Sequence, residues 1–182
     1  VQKPGVANIL LTDFNFLYLA TRIIESLTPG LSRSAISGII EELQVGMLTE
    51  CDFLLEARHL DEFNAFLERT GNTTSVAPKP YHELSSTKVL TMERFFGVPL
   101  TNIDVLKRYT QDPAQTLINA LNTWFSSLMN CDFFHADVHA GNLMLLEDGR
   151  VGFIDFGIVG RVRKSTWEAM SSFLDAIGRG DN

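Results

Sequence analysis

The sequence predicts a mixed α+β fold. Long stretches repeat apolar residues at helical spacing, and two short apolar runs flank an Asp-Gly turn. Proline and glycine signals separate the two kinds of segment.

Pro4-Gly5 ends the segment that opens the chain. Over 7–27, Ile9, Leu10, Phe14, Leu17, Ala20, Ile24 and Leu27 lie on helical spacing, and Thr28-Pro29-Gly30 stops that helix. Ser32 or Ser34 is placed to cap the next helix, predicted to run to about Leu67 with a kink or break near Gly46. Gly71 to Pro80 reads as a polar linker. Val76–Leu84 and Lys88–Glu93 read as short strands around Ser85-Ser86, and Gly97-Val98-Pro99 as a further break. A helix is predicted from Pro113 to Asn130, with proline in its first turn and Leu117, Leu121, Trp124, Phe125 and Leu128 facing inward. Residues 132–142 form a loop. Strands at 143–146 and 151–154 follow, joined by Glu147-Asp148-Gly149-Arg150, and a last helix covers about 164–178.

A chain of 182 residues suffices for one sizeable core, or for a small lobe packed on a larger one. Its net charge of −7 argues against non-specific nucleic-acid binding, which needs dense lysine and arginine to release counterions. Nucleotides remain open, because a metal ion can bridge carboxylates to phosphate. Cys51 and Cys131 lie in no CxxC or Cys/His metal spacing, so a reducing compartment fits. No stretch reaches the ~20 apolar residues that span a bilayer. No targeting peptide opens the chain, and VQKPGV reads as an interrupted strand of a longer protein.

The chemistry concentrates in His135-Ala136-Asp137-Val138-His139-Ala140-Gly141-Asn142, then a hairpin, then Ile154-Asp155-Phe156-Gly157. Phosphoryl transfer needs a carboxylate to orient the attacking oxygen and accept its proton. It also needs hard oxygen ligands that hold Mg²⁺ against the phosphates. Asp137 suits the first role; Asn142 and Asp155 suit the second. The hairpin accounts for the spacing, because its outer ends bring a loop before one strand beside residues after the other. A lone Asp-Phe-Gly arises often by chance; the combination with His-x-Asp and Asn142 does not. His139 is expected to orient a neighbour by hydrogen bonding rather than bind metal.

With these motifs in place, the chain resembles the UbiB family of aarF-domain atypical kinases over essentially its whole length. The resemblance rests on VQKPGV, on Glu50-Cys51-Asp52-Phe53-Leu54-Leu55-Glu56-Ala57, on Val89-Leu90-Thr91-Met92-Glu93 followed by Gly97, and on HADVHAGN with IDFG. It implies a protein-kinase-like two-lobed α+β fold. Residues 1–93 would form an incomplete N-lobe and 94–182 a truncated C-lobe, with ATP and Mg²⁺ between them. It implies Asp137 as the catalytic-loop aspartate, Asn142 and Asp155 as metal ligands, and Glu56 as partner of a strand lysine. Met92 and Glu93 would lie at the adenine hinge. Glu50 and Asp52 would be the regulatory ExD pair, which in relatives meets an extension carrying a KxGQ motif. From the residues alone, Asp52 and Glu56 share a helical face, and an exposed acidic surface accounts for Glu50 and Asp52 equally well.

The strand lysine would immediately precede Val1, and Lys3 is in the wrong register to replace it. This segment alone is therefore expected to bind nucleotide poorly. Ala136 stands where ordinary protein kinases carry arginine, and no Ala-Pro-Glu word follows Gly157. The resemblance implies an ATP-dependent kinase or ATPase supporting isoprenoid-quinone or prenyl-lipid metabolism, with pathway enzymes and a membrane surface as partners. It places the protein in a plastid or mitochondrion. A small-molecule phosphotransferase of the aminoglycoside or choline kinase kind, and a non-catalytic nucleotide-sensing scaffold, are the alternatives. Phe95-Phe96 and Phe133-Phe134 suit either core burial or membrane anchoring.

Overall fold

The computed structural model describes residues 1–27, 36–101, 103–130 and 133–161, together with Thr166 and Ser172. The predicted stop at Thr28-Pro29-Gly30, the caps Ser32 and Ser34, Cys131 and most of the last predicted helix lie outside these residues. The chain divides into two compact units. One comprises Val1–Asp61 with Lys79–Glu93, the other Glu62–Pro78 with Arg94–Asn182.

In the first unit, the turn at Pro4-Gly5 leads into helix α1, Val6–Leu27. Gly5 adopts φ 78°, left-handed backbone that suits glycine. Helix α2, Ile36–Thr49, packs against α1. The Ser37 N–H donates to the Glu25 carboxylate at 3.2 Å. Phe14 is the buried anchor of α1. The long helix predicted to end near Leu67 is two helices, and its break lies at Glu50-Cys51-Asp52 rather than near Gly46. Helix α3, Phe53–Thr70, begins there because the Asp52 carboxylate accepts the Leu54 N–H at 3.0 Å. That bond satisfies one of the donors a helix start leaves unpaired. Gly46 stays helical because nothing nearby requires the chain to turn.

The strands predicted at 76–84 and 88–93 reduce to isolated bridges, Pro80 with Met92 and Ser86 with Val89, around a 3-10 helix at His82–Leu84. Pro78 and Pro80 lack the N–H groups a ladder requires, so pairing survives only as single bonds. Tyr81 N donates to Thr91 O and Glu93 N to Lys79 O, both at 2.8 Å.

The second unit is built on a four-stranded sheet. Strands β1 (Ser75–Val76), β2 (Gly97–Pro99), β4 (Leu143–Leu146) and β5 (Val151–Phe153) stand in the order β1-β5-β4-β2. Pairing of β1 with β5 is parallel; β4 pairs antiparallel with β5 and β2. Thus 97–99, predicted as a break, is an edge strand, and the predicted polar linker contains β1. Both are too short to show an alternating pattern. The Asp-Gly turn occurs as predicted, with Gly149 at φ 86°. The second, two-stranded sheet joins β3 (Phe134–His135) antiparallel to β6 (Val159–Gly160). The sequence reading gave no strand at either position.

Helix α4 spans Ile103–Tyr109. Helix α5 runs from Pro113 to Asn130 as predicted, but its buried face is Thr116, Ala120, Thr123 and Ser127. Leu117, Leu121 and Phe125 are exposed. Hydroxyl groups can face inward here because each has a partner: Thr116 donates to Asp112 O and Ser127 to Trp124 O, and Thr123 meets groups from outside the helix. The Thr123 hydroxyl pairs with Ser75 Oγ at 2.7 Å and accepts from Asn72 Nδ2 at 2.9 Å. Trp124 and Leu128 are half-buried, so hydrophobicity gave the right helical period and an inward face that is only partly right.

The core of the second unit is aromatic. The Phe63 ring lies 5.6 Å from Phe66, 5.2 Å from Phe153 and 4.8 Å from Phe156, all tilted. Each of these rings is at most 1% exposed. Phe133 is also buried, whereas Phe96 is exposed beneath the Arg94 guanidinium, 5.2 Å from its ring centroid. Among the described residues no helix is long and apolar enough to cross a membrane. Phe63→Ala should cost about 3–5 kcal/mol, as a truncated buried aromatic leaves a cavity the sheet cannot fill. Urea unfolding of the protein measures this; a loss below about 1 kcal/mol would contradict the central placing of Phe63.

Candidate functional site

Two loops of the second unit carry the motif. Residues 136–142 follow β3 and residues 154–158 follow β5. Backbone hydrogen bonds join them at both ends. Ala136 N donates to Ile158 O at 3.1 Å, and Ile154 N donates to Asn142 O at 3.1 Å. The β4–β5 hairpin produces the second bond, as the sequence suggests. The first bond continues the pairing of β3 with β6, where Phe134 lies opposite Gly160 and His135 opposite Val159. Asp137 is one residue from the first staple and Asp155 one residue from the second. Both carboxylates are exposed.

Within the first loop the side chains order one another. Asn142 Nδ2 donates to Asp137 O at 3.2 Å and to Asp137 Oδ2 at 3.4 Å. With the nitrogen so committed, Asn142 offers Oδ1 to a metal. His139 Nδ1 accepts the Gly141 N–H at 3.0 Å, and Nε2 lies 3.5 Å from Asp137 Oδ2. That bond to Nδ1 assigns the proton of neutral His139 to Nε2, facing the carboxylate. Gly141 has a steric reason: a Cβ there would lie 2.8 and 2.9 Å from two atoms of the imidazole. The expectation that His139 orients a neighbour describes this geometry. In the second loop, Gly157 N–H donates to Asp155 Oδ1 at 3.0 Å and fixes that carboxylate.

This donor set fits magnesium that arrives with phosphate. Mg²⁺ prefers hard oxygen ligands and is usually held by one or two carboxylates, with phosphates and water completing its octahedron. Asp155 and Asn142 supply such oxygens. Among the described residues no group of three or more His, Cys, Asp or Glu is arranged to hold a metal. The remaining ligands would come from the phosphates.

The other predicted site residues lie in the first unit. Asp52 caps α3, so its carboxylate has a structural task whatever else it does. Glu50 precedes α3 and is exposed; Glu56 sits in the first turn of α3, half-buried. Met92 bridges to Pro80. Glu93 is tied to Lys79, its carboxylate accepting the Lys79 N–H at 3.3 Å.

The whole chain, residues 1–182, matches the ABC1 atypical kinase-like domain. The chain belongs to this family. Its ABC1 domain is 50% identical over 178 residues to an uncharacterised chloroplastic aarF domain-containing protein kinase of Arabidopsis thaliana. That match covers 97% of the chain and 33% of the relative. It is 30% identical to the chloroplastic protein ACTIVITY OF BC1 COMPLEX KINASE 7 of the same plant, covering 91% of the chain and 24% of that protein. Against a probable protein kinase UbiB of Azotobacter vinelandii it is 27% identical, covering 100% of the chain and 34% of the relative. The chain thus spans about a quarter to a third of these relatives' length. Among solved structures it resembles Rv3197 of Mycobacterium tuberculosis, determined in complex with erythromycin. The TM-score is 0.66 at 28% identity, covering 88% of the chain and 39% of that protein. The protein-kinase-like α+β fold expected from the sequence holds.

Sequence reading passed over His135 of this ABC1 domain. It is 1% exposed, packed 4.9 Å from the Phe156 ring and 6.5 Å from Phe153. Trp124 Nε1–H donates to its carbonyl at 2.8 Å, and its Nδ1 accepts the Asp137 N–H at 3.2 Å. Its Nε2 is buried on the side of the Asp155 backbone. Burial pushes its pKa below the ordinary histidine value. The nearby charges of Asp155 and Asp137, and the Asp155 backbone, oppose that shift without cancelling it. The signal was present in the sequence: Phe153 and Phe156 bracket Asp155, and His135 sits two residues before Asp137.

Because His135 has a lower pKa folded than unfolded, the unfolded chain binds more protons below about pH 6.5. Its contribution to stability is therefore complete above that value and is lost as pH falls beneath it. His135→Asn, which keeps an acceptor for the Asp137 N–H, should flatten the decline in stability between about pH 7.5 and about pH 5.5. Denaturation midpoints for both proteins in chelator-containing buffer check this. Parallel declines would remove His135 as their source.

Proposed function

We propose that the protein acts as an ATP-dependent phosphotransferase or ATPase of the UbiB type, using Mg-ATP and serving prenyl-lipid or isoprenoid-quinone metabolism in a plastid. The carrying observation is the pair of loops stapled at both ends, which holds Asp137, Asn142 and Asp155 in one assembly. Family membership supports the kinase-like part of the reading. The chloroplastic names of two relatives support the plastid. The UbiB relatives, named as probable protein kinases, support the UbiB-type reading, and the quinone connection rests on the resemblance to that family.

In this reading Asp137 accepts the proton of the attacking oxygen, and its carboxylate is aimed by Asn142 Nδ2 and His139 Nε2. Asn142 Oδ1 and Asp155 hold Mg²⁺, which when bound neutralises charge on the phosphates. Gly157 N–H holds one oxygen of the Asp155 carboxylate in place. Met92 and Glu93 serve the adenine side, and Glu56 pairs with a lysine of the phosphate-binding strand. Glu50 and Asp52 serve regulation, with Asp52 also capping α3. Association with a membrane surface and with enzymes of the pathway belongs to the same proposal.

ATP turnover by the full-length protein tests the reading. Asp137→Asn should lower turnover about 10²–10⁴-fold, the usual worth of a positioned general base, with nucleotide affinity little changed. Asp155→Asn should instead weaken Mg-nucleotide binding by about tenfold or more. Equal turnover by wild type and Asp137→Asn would end the catalytic role of Asp137.

A further inference from the structure

The β4–β5 hairpin accounts for only one end of the paired loops. The other end depends on β3 meeting β6 closely enough for Ala136 N–H to reach Ile158 O at 3.1 Å. At that end Phe134 lies directly opposite Gly160. The tip of the Phe134 ring covers the glycine. A Cβ added at Gly160 would lie 2.7 Å from Cε1 and 3.0 Å from Cε2 of that ring, and closer still to Cζ. Real Cβ atoms essentially never approach so near, so any side chain at this position must displace the ring or part the strands.

Parting of the strands does not come freely. Phe134 is flanked by Phe133, 2% exposed, and His135, 1% exposed, so the strand that carries it is anchored on both sides. The residue after Gly160 is anchored too. Arg161 lies 3.8 Å from the Glu62 carboxylate and its guanidinium stands 6.0 Å from the Phe133 ring. Parting of β3 and β6 would also lengthen the Ala136–Ile158 bond, two positions along the same ladder. That bond adjoins Asp137 on one strand and borders the segment holding Asp155 on the other.

We propose that Gly160 and Phe134 are positioning residues for the candidate site. The bare glycine lets the phenylalanine ring seat on the opposite strand, and that seat sets the distance between the Asp137 loop and the Asp155 loop. This builds on the Mg-nucleotide reading above, but its first test does not depend on it.

The experiment compares the full-length wild type with Gly160→Ala, Phe134→Leu and the double variant. Leucine lacks Cε1, Cε2 and Cζ, the three atoms a methyl at Gly160 would strike. Hydrogen exchange at the Ala136 amide should accelerate at least about tenfold in Gly160→Ala, as overpacking commonly costs enough to open a bond locally. It should return near the wild-type rate in the double variant. Titration of magnesium in the presence of ATP should show the same order, with half-saturation raised about tenfold or more in Gly160→Ala and recovered by Phe134→Leu. Unchanged exchange in Gly160→Ala, or faster exchange that Phe134→Leu fails to correct, would overturn the proposal. If Gly160→Ala does not fold, recovery of folded protein by the second substitution supports it, and a double variant that stays unfolded overturns it. Absence of magnesium-dependent binding in the wild type would sink the nucleotide reading and leave the exchange result standing by itself.

Discussion

The candidate site depends on one constraint: two acidic loops must stay side by side although their charges repel. Each of the two backbone staples contributes about 1 kcal/mol net, a modest hold on two exposed loops. The larger contribution comes from beneath. Phe63, Phe153 and Phe156 are each fully buried, and a buried phenylalanine contributes roughly 1.5–3 kcal/mol. Phe153 precedes Asp155 and Phe156 follows it, so an aromatic core fastens the chain on both sides of the carboxylate. Hydrogen bonds set the register of the loops; apolar burial keeps them there.

The same division of labour explains why the site's polar groups look outward. Asp137 and Asp155 remain exposed, while His135, between the loops and the core, is buried and held away from its charged form. A protonated His135 would place a cation among buried rings, and that loss of solvation outweighs the attraction of Asp155 and Asp137. As a neutral group it instead accepts the Asp137 N–H and stacks on Phe156. Asn142 and His139 then order Asp137 from the solvent side. Asp137 is thus gripped through its backbone from below and through its carboxylate from above.

Much of this was legible in the sequence. HADVHAGN, the Asp-Gly turn and IDFG name the loops, and the hairpin between them implies that Asn142 and Ile154 meet. The extent of α5 also followed from Pro113 and the apolar period. What escaped was whatever depends on long-range partners. Strands β3 and β6 are two residues each, below the length at which alternation can be seen. The inward face of α5 was misjudged because Thr123 looks like a surface residue until Asn72 and Ser75 are set opposite, and because Thr116 and Ser127 satisfy their hydroxyls on nearby backbone carbonyls. The break before α3 was misplaced because Asp52 signals a cap only if the chain turns there.

Ala136 ties these threads together. In ordinary protein kinases an arginine beside the catalytic aspartate lets a phosphate order the segment after Asp-Phe-Gly. Here that position carries a methyl group, exposed, and its contribution is the backbone N–H that reaches Ile158. The described part of the following segment is ordered by other means: pairing of Val159 and Gly160 with β3, then Arg161 set against Glu62 and Phe133. These contacts require no added phosphate. A site assembled in this way has its two acidic loops in place from the moment the second unit folds. Control would then fall on what reaches the loops rather than on whether they meet.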